Sequence, residues 1–374
     1  MEKFKFSEIK GLHIELTTKC NACCPMCSRN FKGKTREGLK IQEWSLTDCK
    51  KLIPKQFLRQ LELISLCGVY GDPINAVDLK EIINYFYLCN PLLKIDLYTN
   101  GSLFNEEWWE DLALMTKDKN FNIIFGIDGS DEISELHRCN TSFEKVINNA
   151  KAYINKGGKA HWDFIVFKHN EHQVEKAREL SKQLNFCSFQ IKKTSRFLKR
   201  LYEFDNLLDS TILEYGKHPV YDINGNIKYI LELPSTKKYR NSTEKSFFEK
   251  INQFGDVVKY LDQVEIDCQA LKTNGIFISA GAEVFPCCTV YQQVCYGTVN
   301  KVKDDLELNE YKLYLKHNLS LVNQSLKDIY EGPFFQKIAE SWKINKLVNG
   351  KCKSCCRTCG IDIDPHKAQH TIKR

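Results

Sequence analysis

Three cysteines near the N-terminus have a spacing suited to an iron–sulfur cluster. Cys20, Cys24 and Cys27 form a C-x3-C-x2-C pattern directly after a run of strand-forming residues. A cubane cluster bound by three thiolates keeps one iron open to a substrate or cofactor, whereas a four-cysteine electron carrier keeps none. The pattern therefore predicts a catalytic [4Fe–4S] cluster on these three residues.

Zinc binding is the alternative for the same segment. Cys23 adds a fourth thiol, so the segment also contains two C-x2-C pairs of the kind that bind tetrahedral zinc. No residue separates the two pairs, and side chains from such adjacent pairs converge poorly on one ion. The spacing favours the three-thiolate cluster.

The C-terminal third of the chain contains a second group of cysteines. The chain has 17 cysteines in 374 residues, and four of them lie within residues 352–359. Cytosolic thiols stay reduced, so grouped cysteines without an export signal indicate metal ligands rather than disulfides. A structural zinc site is one interpretation of the last four cysteines, Cys352, Cys355, Cys356 and Cys359.

The elements that position these residues alternate between strand and helix patterns. Strands are predicted at residues 12–17, 61–69, 93–99, 121–127, 160–167 and 186–192. Helices are predicted at residues 47–60, 78–89, 105–117 and 172–184, and from residue 142 to the glycine pair at 157–158. Six β-α units in this order predict an α/β fold with a parallel sheet, a partial (β/α)6 TIM-like barrel. A doubly wound open sheet is the alternative.

The remainder of the chain predicts smaller units. Residues 220–233 have the pattern of a hairpin that turns at Asn224-Gly225. We predict a barrel domain at residues 1–200, a bridge or insertion at 201–267 and a small cysteine-rich α+β domain at 268–374. In a barrel the functional groups gather at the carboxyl ends of the strands, where Cys20 is expected.

The overall composition is that of a globular protein. Hydrophobic residues make up 43% of the chain, charged residues 27%, and the formal net charge is +7. No apolar run reaches the ~20 residues of a membrane helix, and residues 1–10 lack the apolar core of a signal peptide. We therefore expect a cytoplasmic protein without a membrane partner. The mild positive charge forms no dedicated RNA-binding stripe, so a nucleic acid partner is not expected.

These motifs, in this order, resemble the radical S-adenosylmethionine (SAM) superfamily. Residues 67–73 (CGVYGDP) resemble its glycine-rich segment, which binds the amino group of SAM, with Asp72 in place of the usual glutamate after Gly71. Residues 99–101 resemble its TNG turn and contribute Asn100. The resemblance implies a [4Fe–4S] cluster and SAM as cofactors.

Further SAM contacts follow from the same resemblance. Asp128, in the turn at residues 126–129, lies where the family contacts the ribose, although aspartate in such a turn is as often structural. Val166 ends the fifth predicted strand and is a candidate contact for adenine, although core packing explains it equally well. Asn170, Lys193 and Arg196 are candidates for binding the carboxylate of SAM or the substrate.

The C-terminal cysteines resemble the twitch or shortened SPASM extension of some radical SAM enzymes. The resemblance implies one auxiliary [4Fe–4S] cluster on Cys268, Cys287, Cys352 and Cys355, and a strand at residues 296–299. The choice of ligands stays open, because four further thiols are available: Cys288, Cys295, Cys356 and Cys359. Without a second redox centre, the first thiols to test as hydrogen-atom donors would be Cys139, Cys288 and Cys295.

The reaction is implied by the family. Reductive cleavage of SAM at the cluster forms a 5′-deoxyadenosyl radical, which abstracts hydrogen from a substrate. A peptide or protein side chain is the first substrate hypothesis, with oxidation, cross-linking or epimerisation as the outcome. The alternatives are a small sugar or cyclitol metabolite, tRNA modification, and a non-catalytic iron–sulfur or zinc module. A flavodoxin or ferredoxin is the implied reductant.

Iron content tests the catalytic cluster. Reconstitution without oxygen should give about eight irons per chain if two cubanes form. Replacing Cys20, Cys24 and Cys27 together with alanine should leave about four irons and abolish 5′-deoxyadenosine formation. Iron analysis and chromatography measure the two quantities. SAM cleavage retained in this triple variant would contradict the assignment.

Overall fold

The structure is a computed structural model that describes residues 4–197, 216–300 and 309–360. The predicted bridge at residues 201–267 and the predicted C-terminal domain therefore lie partly outside the described residues. The chain separates into two compact units. Among the described residues, the first unit contains residues 4–19, 40–96, 245–300 and 309–360, and the second contains residues 20–39, 97–197 and 216–244.

Eight strands form a mostly parallel α/β sheet, which confirms the predicted fold class. The described strands are β1 (Gly11–Ile14), β2 (Asn30–Phe31), β3 (Lys34–Thr35), β4 (Leu63–Leu66), β5 (Lys94–Thr99), β6 (Phe121–Gly126), β7 (Ala160–Ile165), β8 (Ser188–Lys192), β9 (Lys217–Tyr221), β10 (Ile227–Glu232), β11 (Gly275–Ile278) and β12 (Val284–Phe285). Six of them, β1 and β4 to β8, are the six predicted strands.

In the first unit, strands distant in the chain pair beside β1. Strand β1 is parallel to both β4 and β11, and β12 is antiparallel to β11. Alternate residues of β1 and β4 are buried, as expected for strands with one apolar face. The pairing of β11 with β1 extends the sheet beyond the six predicted strands. It also brings residues 275–278, which precede Cys287 in the chain, next to β1.

In the second unit, β6, β7 and β8 are parallel neighbours. Every second residue of β6 and β7 is buried, including Phe125 and Trp162. The indole nitrogen of Trp162 donates to the carbonyl oxygen of Ile127 at 2.8 Å, so the buried ring has a polar partner. The predicted hairpin is present as antiparallel β9 and β10.

The described helices are α1 (Leu46–Leu52), α2 (Lys55–Gln60), α3 (Leu79–Cys89), α4 (Glu106–Thr116), α5 (Phe143–Asn155), α6 (Val174–Gln183), α7 (Ser242–Phe254), α8 (Val257–Gln263), α9 (Gln269–Lys272), α10 (Cys288–Asn300), α11 (Asn309–Leu315), α12 (Leu326–Glu331), α13 (Pro333–Ser341) and α14 (Lys353–Cys359). Within the described ranges, no helix combines the length and apolar character that a membrane span requires.

Two local predictions are wrong. The single helix predicted at residues 47–60 is divided into α1 and α2 because Pro54 has no N–H and disfavours helical backbone at the residue before it. The strand predicted at residues 296–299 is instead the last part of α10. Short apolar runs without flanking turn residues do not distinguish strand from helix.

Candidate active site and cysteine clusters

The loop that carries Cys20, Cys24 and Cys27 is held by hydrogen bonds to its backbone. The N–H of Cys23 donates to the carbonyl oxygen of Cys139 at 2.8 Å. Four loop carbonyls accept side-chain hydrogen bonds: Asn21 from Asn140 (2.6 Å), Cys24 from Asn30 (3.0 Å), Pro25 from His218 (3.1 Å) and Met26 from Arg196 (3.0 Å). The backbone of the loop is therefore held in part by residues outside it.

The exposure of the loop thiols separates Cys23 from the three predicted ligands. Cys23 is exposed, whereas Cys20, Cys24 and Cys27 are partly buried. Burial raises the pKa of Cys24 to about 12, and the nearby positive charge of Arg138 opposes this rise. Three partly buried thiols on a backbone-fixed loop suit a cluster that binds thiolates, and their role as ligands stays a prediction.

Asn100 lies against this loop. Its Nδ2 donates to Oδ1 of Asn21 at 3.1 Å and is 3.9 Å from Sγ of Cys20. Its Oδ1 accepts from the backbone N–H and the hydroxyl of Ser102 at 2.9 and 2.6 Å. The predicted TNG turn therefore supports the cysteine loop, and a contact of Asn100 with SAM stays a prediction.

Asp128 is fully buried and ion-paired. Its Oδ2 accepts from Nδ1 of His137 at 2.6 Å and from Nε of Arg138 at 2.7 Å, and its Oδ1 accepts from the N–H of Ile165 at 2.7 Å. Burial by itself would raise the pKa of Asp128, but Arg138 and His137 hold it well below its usual range. Both carboxylate oxygens of Asp128 accept hydrogen bonds from the protein, which gives the residue a structural role. Binding of the SAM ribose by Asp128 stays a prediction.

The other residues predicted to contact SAM in this region also interact with the protein itself. Asn170 is fully buried, and its side chain bonds the backbone of Asp128, Ile165 and Phe167 at 2.7–3.0 Å. Arg196 reaches the cysteine loop, as described above. Val166 is fully buried in the core. Asn170 thus links the segments that follow β6 and β7, and direct contacts of these three residues with SAM stay predictions.

The glycine-rich segment after β4 is held by Glu15. The Glu15 carboxylate is fully buried, and its Oε1 accepts from the N–H groups of Tyr70 and Gly71 at 2.6 and 3.0 Å. Burial raises the pKa of Glu15, and these N–H groups oppose the rise. A Cβ on Gly71 would lie 1.8 Å from the carbonyl oxygen of Thr17, so only glycine fits this approach.

Asp72 follows directly and caps the turn Pro73–Asn75. Its Oδ1 accepts from the N–H of Ile74 at 3.1 Å, and the residue is nearly buried. The turn explains why an acid is tolerated at this position. Binding of the SAM amino group by Asp72 stays a prediction.

The C-terminal thiols are largely buried and close together. A hydrogen bond from Cys359 lowers the pKa of Cys268 to about 7 despite burial. Burial raises the pKa of Cys287, and charge on Cys288, Cys355 or Cys268 would raise it further. Cys359 thus lies beside Cys268, and the grouping of Cys268, Cys287 and Cys355 around one cluster stays a prediction.

Cys352 has a different partner. Its Sγ lies 2.7 Å from Sγ of Cys355 and donates to Oε1 of Glu310 at 3.0 Å. Burial raises the pKa of Cys352 well above its usual value, and Cys355 and Glu310 add to the rise. Its role as a cluster ligand stays a prediction. In the described ranges, no three His, Cys, Asp or Glu side chains are grouped as ligands of a single ion.

The three candidate hydrogen-atom donors have distinct surroundings. Sγ of Cys139 lies 3.4 Å from the hydroxyl of Tyr229. Burial raises the pKa of Cys295 to about 12, and the hydroxyl of Tyr291 opposes that rise. Cys288 begins α10 and is partly buried. A donor role for each of them stays a prediction.

Four residues around these sites were missed by the sequence analysis: Glu15, His137, Arg138 and Glu310. Glu15 had a usable signal, because it is an acid within a strand-forming run of apolar residues. His137 and Arg138 lie between elements and Glu310 in a helix, where charged side chains are ordinary. Only their burial against cysteines or Asp128 distinguishes them.

Replacing Asp128 separates its structural role from ribose binding. Asp128→Asn leaves the partly buried Arg138 without its ion partner, which should lower the free energy of unfolding by about 2–4 kcal/mol in denaturant titrations. Asp131→Asn, in the same loop but at a less buried carboxylate, is the matched control and should cost under about 1 kcal/mol. Unchanged stability with weaker SAM binding would instead indicate a ribose contact alone.

Replacing Glu15 tests the support of the glycine-rich segment. Glu15→Ala leaves two N–H groups without an acceptor and should lower the free energy of unfolding by about 2–4 kcal/mol. Glu15→Gln keeps a carbonyl oxygen at the same place and should lose less than half as much. Equal stability of the alanine variant and the parent protein, measured by denaturant unfolding, would show that the segment does not need this acceptor.

Comparison with known proteins identifies what this chain is similar to. Residues 14–180 match the family model of the radical SAM superfamily. The chain is 22% identical to the cysteine-type anaerobic sulfatase-maturating enzyme of Clostridium novyi (strain NT), over 94% of this chain and 87% of that protein.

Two solved structures have the same fold. SuiB of Streptococcus suis bound to S-adenosylmethionine matches at a TM-score of 0.52 and 13% identity, over 91% of this chain and 71% of SuiB. The structure of anSMEcpe with bound AdoMet matches at a TM-score of 0.50 and 16% identity, over 96% of this chain and 91% of that one. These matches agree with the predicted resemblance: residues 14–180 are similar to the radical SAM superfamily, whose members use SAM and a [4Fe–4S] cluster.

Proposed function

We propose that this enzyme modifies a peptide or protein side chain, by oxidation, cross-linking or epimerisation that begins with hydrogen abstraction. The observation that carries the catalytic part is the loop at residues 20–27, with three partly buried thiols on a backbone fixed from outside. Cys20, Cys24 and Cys27 would hold the cluster. When bound, the cluster and SAM supply a 5′-deoxyadenosyl radical.

The substrate class is supported by the relatives. One relative is named as a sulfatase-maturating enzyme, which acts on a protein. SuiB, which shares the fold at a TM-score of 0.50 and 12% identity, was solved bound to its precursor peptide SuiA. The alternative substrates, which the test below also covers, are a small sugar or cyclitol and a tRNA. A flavodoxin or ferredoxin is the proposed electron donor.

Arg138 is the proposed cation for the carboxylate of SAM. Its Nε is held by Asp128, and its side chain is 20% exposed. A Cβ on Gly126 would lie 2.6 Å from its Nη2, so the glycine leaves room for the guanidinium. The terminal nitrogens of a guanidinium can bind a carboxylate through two parallel hydrogen bonds. Asp128 would then act as a positioning residue.

A second iron–sulfur centre is proposed among the C-terminal thiols. The C-terminal thiols are a largely buried donor set in which Cys359 bonds Cys268, Cys352 lies beside Cys355, and the charge of Cys355 acts on Cys287. Such a donor set fits a cluster that binds thiolates. The centre would accept an electron from the product radical or anchor the substrate.

Isotope transfer tests the substrate class. The reconstituted enzyme is incubated without oxygen with SAM, dithionite and synthetic peptides that contain fully deuterated cysteine or serine. Mass spectrometry should find deuterium in 5′-deoxyadenosine, because abstraction moves one substrate hydrogen to the adenosyl carbon. The variant that lacks Cys20, Cys24 and Cys27 should form none.

The competing substrates form the second arm of the same experiment. Fully deuterated myo-inositol and an unfractionated tRNA preparation replace the peptides. Deuterium transfer from the cyclitol, or modified nucleosides in the tRNA, together with no transfer from any peptide, would replace the peptide proposal. SAM cleavage without any transfer from these probes would leave the radical SAM chemistry intact and exclude the tested peptides.

A further inference from the structure

The hairpin that follows the cysteine loop has a basic and aromatic surface. Residues 30–36, the basic hairpin, include β2 and β3 and contain three basic residues and no acid. Phe31 is 39% exposed, and Lys32 and Lys34 are also exposed. Nζ of Lys32 and Cζ of Arg36 lie 5.7 and 5.5 Å from the centre of the Phe31 ring. Attraction between the cations and the ring keeps both charges grouped around it.

The basic hairpin is fixed directly to the cysteine loop by Asn30, which is 8% exposed. The backbone N–H of Asn30 donates to the carbonyl oxygen of Cys27 at 3.0 Å, and its Nδ2 donates to that of Cys24 at 3.0 Å. Phe31 follows Cys27 by four residues, and four residues of extended chain span at most ~14 Å. An exposed aromatic ring is therefore attached close to a predicted cluster ligand.

The turn of the basic hairpin packs against the turn between β9 and β10. Gly33 has a φ of +77°, and a Cβ at this position would overlap the carbonyl oxygen of Asp222. The carboxylate of Asp222 accepts from the N–H groups of Asn224 and Asn226 at 2.8 Å, so it is used within its own turn. Ile223 is 71% exposed and adds apolar surface at this contact. Because the protein itself holds this surface, a partner would have little to order on binding.

A positively charged surface of this kind attracts acidic proteins. Opposite charges across an interface accelerate encounter and select the partner more than they add affinity. Glu37, which follows the hairpin, is the one acid within residues 28–39 and leaves the segment positive. The attachment to the cysteine loop favours an electron donor as the partner, because an electron donor needs only closeness to the cluster. A peptide substrate must in addition place one carbon atom inside the site.

We propose that the basic hairpin is the docking surface of the electron donor, an acidic protein that carries a single electron. This inference rests on the catalytic cluster and the electron donor proposed above, and it gives that donor a binding site. The carrier is oxidised by one electron and the cluster on the cysteine loop is reduced by one, so no other reactant is required. Lys32 and Lys34 attract acidic side chains of the carrier, and Phe31 contacts its apolar surface.

Binding of a flavodoxin to the reconstituted enzyme tests the surface independently of catalysis. Calorimetric titration at low ionic strength measures the dissociation constant. The double variant Lys32→Glu/Lys34→Glu should raise this constant about tenfold, because an attractive surface becomes repulsive, and added salt should reduce the difference. Lys145→Glu/Lys151→Glu makes the same change in net charge at two exposed lysines of α5. This matched control should stay within about twofold of the parent.

The rate of 5′-deoxyadenosine formation is the second measurement. The enzyme and SAM receive either reduced flavodoxin, below its saturating concentration, or dithionite as the sole reductant. The double variant should react about tenfold more slowly with flavodoxin. It should keep the rate of the parent with dithionite, a small molecule that needs no docking surface. Phe31→Ala should likewise slow only the reaction with flavodoxin.

Three results would overturn the inference. Equal flavodoxin binding and equal flavodoxin-driven rates in the double variant and the lysine control would place the docking surface elsewhere. A slower reaction with dithionite as well would show that the hairpin only supports the cysteine loop. Unchanged flavodoxin binding with lost deuterium transfer from the peptides would assign the hairpin to the substrate.

Failure of the proposed function has a different signature. A parent enzyme that forms no 5′-deoxyadenosine with dithionite would refute the catalytic cluster. The titration with flavodoxin would still decide whether an acidic electron carrier binds the basic hairpin.

Discussion

Asp128 is a fully buried carboxylate, and the region around the cysteine loop depends on the donors that compensate its charge. An isolated buried anion is too costly to persist. Here a histidine, an arginine and a backbone N–H at the end of β7 meet it. Because these donors come from separate segments, the carboxylate links the end of β6 to the loop at residues 137–138 and to β7.

The ion pair of Asp128 also affects the cysteine loop at residues 20–27. Arg138 is directed by Asp128, and its charge eases the ionisation of Cys24, which burial opposes. The next residue, Cys139, accepts a hydrogen bond from the backbone of Cys23, and Asn140 binds the carbonyl of Asn21. One buried ion pair thus orders a short stretch of chain that supports the cysteine loop at two places.

The other unit also contains buried acids, and their carboxylates are less completely compensated by hydrogen-bond donors. Glu15 and Glu310 each have one oxygen that accepts two hydrogen bonds and a second oxygen without a partner. Asp128 is fully compensated by the protein, which suits a positioning role. The two glutamates retain an uncompensated oxygen beside, respectively, the glycine-rich segment and the C-terminal thiols. Incomplete compensation of a buried charge is more typical of functional sites than of structural ones.

The order and spacing of motifs could be determined from the sequence because each depends on near neighbours. Three thiols within eight residues belong to one loop whatever the fold, and alternating apolar runs define strands and helices by their period. The six predicted strands of the sheet and the hairpin at Asn224-Gly225 follow from such local signals. So does the resemblance to the radical SAM superfamily, since the motifs that carry it are local.

The partners of the buried acids were decided only by the tertiary structure. Glu310 lies 42 residues from Cys352 in the chain, and Glu15 lies 55 residues from Tyr70. The addition of β11 to β1 likewise joins segments that no local pattern relates. Burial and charge compensation arise from contacts across the fold, and a single sequence carries no signal for which distant residue meets a given charge. The cysteines could therefore be named from the sequence, whereas the residues that orient and neutralise them required the structure.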